Sequence, residues 1–302
     1  MTDVSIIIVN YGTERLIADC VTSVIDKTKG VAFEIIIVDN ASPNGSFAEL
    51  EKRYKDADNI KLLPMKENVG FGRVNNAGYG LSSGRYIFCL NPDTELKNNA
   101  IGILSEYLDN NPSVGACCGN LLQADGKPAT SYRRLYPSVF QEISFMTNYA
   151  VEKCLYGGSH KFNHTSGVID VATISGADLM VRRSVLQKTG FFDPAFFMYY
   201  EDTDLCYRIS ASGFQLRNIP QALIYHYEGK STNHLDHKAV LNFDGRAKFY
   251  AKHHSRPYQF VANMIWGAAI WLRVMALFFK KDSNLEYWTT SLKLLIKSYL
   301  KK

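Results

Sequence analysis

An alternation in the first 120 residues restricts the fold of this chain most. Short β-branched apolar runs at 4–9, 34–38, 60–64, 85–90 and 114–118 are separated by amphipathic stretches. Runs of that continuous apolar character suit strands of a parallel sheet covered on both faces. In the first intervening stretch Leu16, Cys20, Val21 and Val24 share one helical face, with Thr13 placed to cap its start. The alternation predicts a doubly wound α/β unit. Beyond residue 120 the pattern loosens. Residues 121–170 read as irregular and rich in Tyr, Ser and Gly, 171–182 as a strand, 202–212 as a helix, 221–226 as a strand and 236–254 as a helix. Residues 257–300 read as two further helices broken near Asp282-Ser283-Asn284.

In open α/β sheets ligands bind beyond the carboxyl ends of the strands. Here those ends carry Val9-Asn10-Tyr11-Gly12, Asp39-Asn40-Ala41-Ser42, Asn68-Val69-Gly70-Phe71-Gly72 and Asn91-Pro92-Asp93-Thr94-Glu95. Any one of these is ordinary turn chemistry; four at one sheet edge make a site. Asp93, just past a buried strand, reads either as a divalent-cation ligand that leaves room for phosphate oxygens or as part of a turn without a ligand. Asp39 reads either as an acceptor for a base N–H or ribose hydroxyl or as an Asx-type turn. Gly70-x-Gly72 starts like a dinucleotide fingerprint, but position 75 is Asn and the loop follows the third strand, which excludes a nicotinamide or flavin site. Its glycines would admit a ligand to a helix N-terminus, with Asn75 and Asn76 facing it.

Two features lie outside that half. Glu201-Asp202-Thr203-Asp204 puts three acids among four residues beside a long aromatic run. Mutual repulsion and desolvation should raise a carboxylate pKa there, as a general base requires, while a plain helix N-terminus would also favour acids. The spacing does not fit an EF-hand. His226 ends an apolar strand; it reads as a core or turn residue and becomes a metal-ligand candidate only with Asp93 as partner.

Composition narrows the class. At 302 residues and 46% hydrophobic content the chain can bury a sizeable core, and 21% charged residues argue against disorder. The net charge of +5 belongs to the tail: residues 251–302 hold nine Lys/Arg and two acids, so the first 250 residues sum to −2. A basic nucleic-acid groove is therefore not expected. Residues 1–3 supply no basic n-region, so the apolar run 4–9 reads as a strand rather than a signal segment. Six cysteines without a CxxC pair read as reduced thiols of a cytoplasmic protein. Residues 261–279 contain one charge, Arg273, and all three tryptophans lie beyond residue 260 with flanking lysines. This suits helices lying on an anionic membrane surface, while Arg273 argues against a transmembrane span. The alternative is a helical pair packed on the catalytic half or in a homodimer interface.

Taken in chain order, these motifs resemble the inverting glycosyltransferases of family 2, with the GT-A fold, and most closely the bacterial rhamnosyltransferase branch. The match runs from Val4–Tyr11 through Ile37–Ser42, Asn68–Asn76, Leu90–Thr94, Ser175-Gly176-Ala177 and Phe197–Leu205 to His226 with Gly229 and Ser231. The resemblance implies a GT-A domain over 1–254, a nucleotide-binding half (1–120) joined to an acceptor and catalytic half (121–254), followed by a helical extension (255–302). It implies that Val9, Asn10, Tyr11, Asp39, Asn68, Gly70, Phe71, Asn75 and Asn91 hold the donor nucleotide. Gly176 and Ala177 would border the donor sugar. Asp93, in the family's DxD position, and His226 would ligate Mg²⁺ or Mn²⁺; the first acid of that motif is Asn91 here. Asp202 would be the catalytic base, supported by Glu201 and Asp204. The expected reaction transfers a sugar, rhamnose from dTDP-rhamnose, from a nucleotide-diphosphate donor to a cell-surface polysaccharide or lipid-linked glycan at the inner face of the membrane. A UDP-hexose or UDP-N-acetylhexosamine transferase and a non-catalytic nucleotide-sugar-binding scaffold are the alternatives.

Overall fold

The computed structural model describes residues 2–227, 235–280 and 284–300. Gly229, Ser231 and the Asp282-Ser283 break lie outside the described residues. The first half runs β1 (Val4–Asn10), α1 (Glu14–Lys27), β2 (Phe33–Asp39), α2 (Ser46–Tyr54), β3 (Ile60–Pro64), α3 (Phe71–Leu81), β4 (Tyr86–Leu90), β5 (Thr94–Leu96), α4 (Ala100–Asn110) and β6 (Val114–Leu122). There follow β7 (Tyr132–Arg133), α5 (Val139–Met146), α6 (Ala150–Tyr156), β8 (Ile169–Asp170), β9 (Thr173–Ile174), β10 (Asp178–Arg182), α7 (Arg183–Thr189), α8 (Glu201–Ala211), β11 (Gln215–His226), α9 (Leu235–His253), α10 (Arg256–Lys280) and α11 (Leu285–Leu300).

The main sheet has the order β3-β2-β1-β4-β10-β6-β11-β5, with β8 on β11. The β3-β2-β1-β4 half is parallel; β10 enters antiparallel between β4 and β6. Alternate residues feed two cores, as the two-residue period of a strand dictates. Ile6, Ile8, Ile35 and Ile37 pack under α1 and α4. Ile7, Ile36 and Val38 pack with residues of α3, α7 and α8 on the opposite face. Because both faces are covered, the strands are apolar throughout, and the expected α/β architecture is what the chain adopts.

Three local expectations need correction. Thr13 occupies the N-cap of α1 but its side chain does not cap; Asn10 reaches back and its Oδ1 accepts the Thr13 N–H at 3.0 Å. The strand expected over 171–182 is broken into β9 and β10 by a turn at Ser175-Gly176-Ala177. Residues 121–170 are not irregular, because α5 and α6 lie within them. The Ser138 hydroxyl caps α5 by accepting the Gln141 N–H at 3.2 Å. Helices of eight and seven residues carry too few turns for a periodic signal.

The C-terminal helices pack on this body along one face. Phe145 of α5 joins Trp266, Ala269, Ile270 and Leu295 in a small core. Beneath it Glu142 accepts from Arg246 Nε (3.1 Å), Arg246 Nη2 (2.8 Å) and the Tyr250 hydroxyl (2.7 Å), and Arg246 Nη1 reaches Asn263 at 2.6 Å. One buried ion pair thus ties α5, α9 and α10. Arg273 donates to the Phe145 carbonyl at 2.6 Å, so the one charge of the apolar run turns inward. Residues Arg256–Phe278 are long and apolar enough to cross a membrane by length and composition. Five of the six cysteines are buried and Cys154 is exposed.

Candidate active site

The parallel strands deliver their polar ends to one edge, where hydrogen bonds lock the loops. Asn10 Nδ2 donates to Asp39 Oδ1 at 2.6 Å and to Ser46 Oγ at 2.7 Å. Asp39 Oδ2 accepts the Ser42 N–H at 3.1 Å, the turn reading of that residue. Both side chains are buried and chiefly hold the loops, while Tyr11 beside them is 47% exposed and Val9 is half-buried. Asn40, which the sequence did not single out, joins this loop to the next: its Nδ2 donates to Asn68 Oδ1 (2.9 Å) and its Oδ1 accepts the Val69 N–H (2.9 Å). Asn68 Oδ1 also accepts the Gly70 N–H at 3.1 Å.

Gly70 has φ +83°, and an added Cβ would lie 2.1 Å from the Phe197 carbonyl oxygen. That same oxygen accepts the Phe71 N–H at 2.8 Å. The glycine-bearing loop is therefore pressed directly onto the aromatic segment that leads into α8. The asparagines after it do not face a ligand, contrary to the sequence reading. Asn75 is buried and donates to the Phe71 carbonyl of its own helix at 2.9 Å; Asn76 grips the Phe192 backbone through both Nδ2 (2.7 Å) and Oδ1 (3.0 Å). Asn75 sits one turn below Phe71 on the same face of α3 and is taken up by that turn's carbonyl, while Asn76, about 100° further round, points to the Phe192 segment.

A short relay joins the Asp93 loop to α8. The Asn91 N–H donates to the Ala177 carbonyl at 3.1 Å, and the Gly176 N–H donates to Asp202 Oδ2 at 3.1 Å. The Ala177 methyl is buried, so this residue contributes its backbone. Asp202 Oδ1 accepts the Thr203 N–H at 2.6 Å. Two successive tyrosines, Tyr199 (φ +68°) and Tyr200 (φ +70°), turn the chain into α8 in left-handed conformations. The Tyr199 carbonyl rests on Gly245 of α9, where an added Cβ would come within 2.5 Å.

The three acids of this cluster separate by environment. Burial, then the neighbouring Asp202 charge, pushes Glu201 up to about 8, and one of its oxygens is buried without a partner among the described residues. Burial also raises Asp202, against the pull of the Gly176 and Thr203 N–H groups. Asp204 goes the other way: burial alone would raise it, but Lys252, Arg208 and His253 hold it below the usual carboxylate range. Its contacts are Arg208 Nε at 2.8 Å, Lys252 Nζ at 2.8 Å and His253 Nε2 at 2.7 Å. Asp204 therefore clamps α8 to α9 and is fully engaged by these three partners.

Asp93 and His226 come together from distant parts of the chain. Antiparallel pairing of β11 with β5 sets Thr94 opposite His226. Asp93 Oδ1 lies 3.4 Å from His226 Nε2, and Asn91 Nδ2 lies 3.4 Å from the same nitrogen. Asp93 also lines a notch of about 90 Å³ with Asp19, Glu95 and Tyr227. Among the described residues no group of three or more metal-binding side chains exists. Asp93 would offer a divalent cation an oxygen ligand of the kind Mg²⁺ or Mn²⁺ takes, with His226 as a softer nitrogen partner and room left for phosphate oxygens.

Comparison with known proteins bears on the fold and the family. The model of Glycosyl transferase family 2 matches residues 5–190, and that of Glycosyl transferase family group 2 matches residues 137–288. The N-acetylglucosaminyl-diphospho-decaprenol L-rhamnosyltransferase of Mycobacterium tuberculosis is 27% identical over 254 residues, 76% of this chain and 74% of that protein. Among solved structures, the mannosyltransferase PcManGT from Pyrobaculum calidifontis in complex with GDP-Man and Mn²⁺ superposes with a TM-score of 0.61 at 14% identity, over 99% of this chain and 86% of that one. GalNAc-T7 with UDP, GalNAc and Mn²⁺ gives 0.61 at 15% identity over 83% of this chain, which spans about half (48%) of that longer chain. Both neighbours have the GT-A fold. With a family model covering more than half of its length, the chain belongs to glycosyl transferase family 2 and is a glycosyltransferase.

Proposed function

We propose that the chain transfers rhamnose from dTDP-rhamnose, by inversion, to a lipid-linked or cell-surface glycan, with Asp202 as base. The relay Asn91–Ala177–Gly176–Asp202 carries this reading, because it couples the loop suited to a diphosphate to the carboxylate with a raised pKa. Tyr11 would pack on the base, with Val9 and Asn91 bordering the nucleotide. The Asn10–Asp39 and Asn40–Asn68 pairs would fix the loops around it. Gly176 would admit the donor sugar beside Asp202. Asp93 and His226 would hold the divalent cation, which when bound neutralises charge on the diphosphate leaving group. Asp202 accepts the acceptor hydroxyl proton as that oxygen attacks the anomeric carbon. Burial raises Glu201 too, which disfavours a second negative charge beside Asp202.

Thermal stabilisation tests this reading. dTDP and UDP are expected to raise the melting temperature only with Mg²⁺ or Mn²⁺ present, and Asp93→Ala to abolish the metal-dependent part. Transfer from dTDP-rhamnose should exceed transfer from UDP-hexoses or UDP-N-acetylhexosamines. A higher rate with a UDP-sugar would replace the rhamnosyl assignment by that alternative.

The outer face of α10 is proposed to rest on an anionic bilayer. Phe260, Val261, Met264, Trp271, Leu272 and Met275 are exposed along it, and Lys293 and Lys297 are exposed on α11. Flotation with phosphatidylglycerol liposomes is expected at low salt, and loss of flotation on deleting 258–302. Absence of binding at low salt, with a dimer in solution, would favour the homodimer interface instead.

A further inference from the structure

The segment 193–204 leads from the loop after α7 into the first turn of α8. It contains Phe197, whose carbonyl accepts the Phe71 N–H at 2.8 Å, and Asp202. Its two ends are acids, and one ammonium of α9 holds both. Lys252 Nζ lies 2.6 Å from Asp193 Oδ2 and 2.8 Å from Asp204 Oδ1. We propose that Lys252 and Asp193 are positioning residues, which together form a tie that sets where Asp202 stands. The proposal rests on the assignment of Asp202 as base.

The face of α9 that meets this segment recurs at helical spacing. Gly245, Phe249, Lys252 and His253 stand at i, i+4, i+7 and i+8. Gly245 lies under the Tyr199 carbonyl, the Phe249 ring meets the Tyr200 ring at 6.0 Å, and Lys252 and His253 both reach Asp204. Lys252 alone of these four also reaches back to Asp193 among the described residues. The other bonds near the start of the segment do different work. Arg73 Nε fixes the Pro194 carbonyl to α3 at 2.9 Å. Arg208 binds the Thr189, Gly190 and Phe191 carbonyls, which precede Asp193. Lys252 is what joins the first acid to the last. Holding the two ends of a loop together removes much of the freedom of the residues between them.

The tie can be cut without stranding a charge. Asp204 is fully buried, but Arg208 Nε at 2.8 Å and His253 Nε2 at 2.7 Å remain to it when Lys252 is replaced. Asp193 and Lys252 are both partly open to water, where an ion pair adds little to global stability. Asp193 Oδ1 separately accepts the Ala195 N–H at 2.8 Å. Asparagine at 193 keeps that turn bond and loses the carboxylate oxygen that faces Lys252. Such changes shift the segment rather than unfold the chain, and a base tolerates little shift: a displacement of about 1 Å costs up to about 10²-fold in rate.

The test uses the full chain and compares Lys252→Met, Asp193→Asn and the double variant. Turnover is read as nucleotide released from the sugar donor that the wild type uses best. Each single variant is expected to lower kcat by about tenfold or more. Affinity for dTDP with Mg²⁺ should stay unchanged, because the strand-end loops are held by their own bonds, Asn10–Asp39 and Asn40–Asn68. The double variant should fall no further than the worse single, since both changes break one tie. Backbone hydrogen exchange over 195–203 should quicken equally in all three. Wild-type kcat in either single, or losses that multiply in the double, overturns the proposal. So does a loss of dTDP binding or of melting temperature that tracks the loss of kcat, which marks general loosening. The exchange readout needs no substrate, so unchanged exchange overturns the tie whether or not the chain transfers sugar. The base assignment is judged separately by Asp202→Asn: wild-type transfer by that variant, with exchange still quickened equally in the other three, removes the base and leaves the tie.

Discussion

Asp202→Asn is expected to lower transfer by about 10³-fold, the range a positioned general base contributes, while nucleotide binding is retained. The amide keeps an oxygen for the Gly176 N–H, now 3.1 Å from Asp202 Oδ2, so the relay to the Asn91 loop survives the change. What is lost is the basic oxygen. The sign of the pH dependence follows. A base must be deprotonated, and Asp202 is raised above the ordinary aspartate value by burial. Transfer should therefore fall as pH drops through that raised value, at a higher pH than an ordinary aspartate would give. Burial raises Glu201 as well, and the Asp202 charge adds to it, so Glu201 holds a proton more readily than an ordinary glutamate. Glu201→Gln copies that neutral form and should keep most of the rate at neutral pH. Near wild-type transfer by Asp202→Asn, or an acid limb at the ordinary aspartate position, would remove Asp202 from its role.

Gly70→Ala is the substitution expected to damage the molecule most for one added methyl group. The backbone there, φ +83° and ψ 169°, belongs to a region that only glycine adopts readily. The new Cβ would also meet the Phe197 carbonyl at 2.1 Å. Strain and overlap together should cost about 3 kcal/mol or more and lower the melting temperature on the order of 5–10 °C. The useful comparison is Gly30→Ala. Gly30 also has positive φ, +78°, but nothing lies within 4 Å of its would-be Cβ, so it should cost only about 1 kcal/mol. Equal losses at the two positions would show that the contact with Phe197 adds nothing. A larger loss at Gly70, with transfer failing even where the protein stays folded, would show that the loop sets the position of α8.

The sheet was legible because its strands are short, β-branched and buried on both faces, so burial itself wrote the pattern. Ile6, Ile7, Ile36 and Ile37 could hardly be anything else. The polar strand ends were legible as a group, yet the sequence could not say which side chains are consumed by the loops. Asn75 and Asn76 look like Asn68 in one dimension; only the helical turn at Phe71 points them inward. The three acids show the same limit. Their spacing announced a perturbed cluster, and two of them are raised; of the partners that depress Asp204, Arg208 lies one turn along α8, but Lys252 and His253 come from α9, about fifty residues later. The helix at 139–146 escaped because its buried face meets α10, far along the chain, although Ser138-x-x-Gln141 was a cap in plain view.

The left-handed pair Tyr199-Tyr200 has a consequence for how such a chain can be improved. Each tyrosine costs about 1 kcal/mol of backbone strain that glycine would avoid. The Tyr200 ring packs on Phe249 and its neighbours, so a glycine there would relieve the strain and lose more in packing, along with the fixed geometry at the start of α8. Stabilising campaigns guided by consensus or by backbone relief would single out these two sites early, and they are the ones to leave alone.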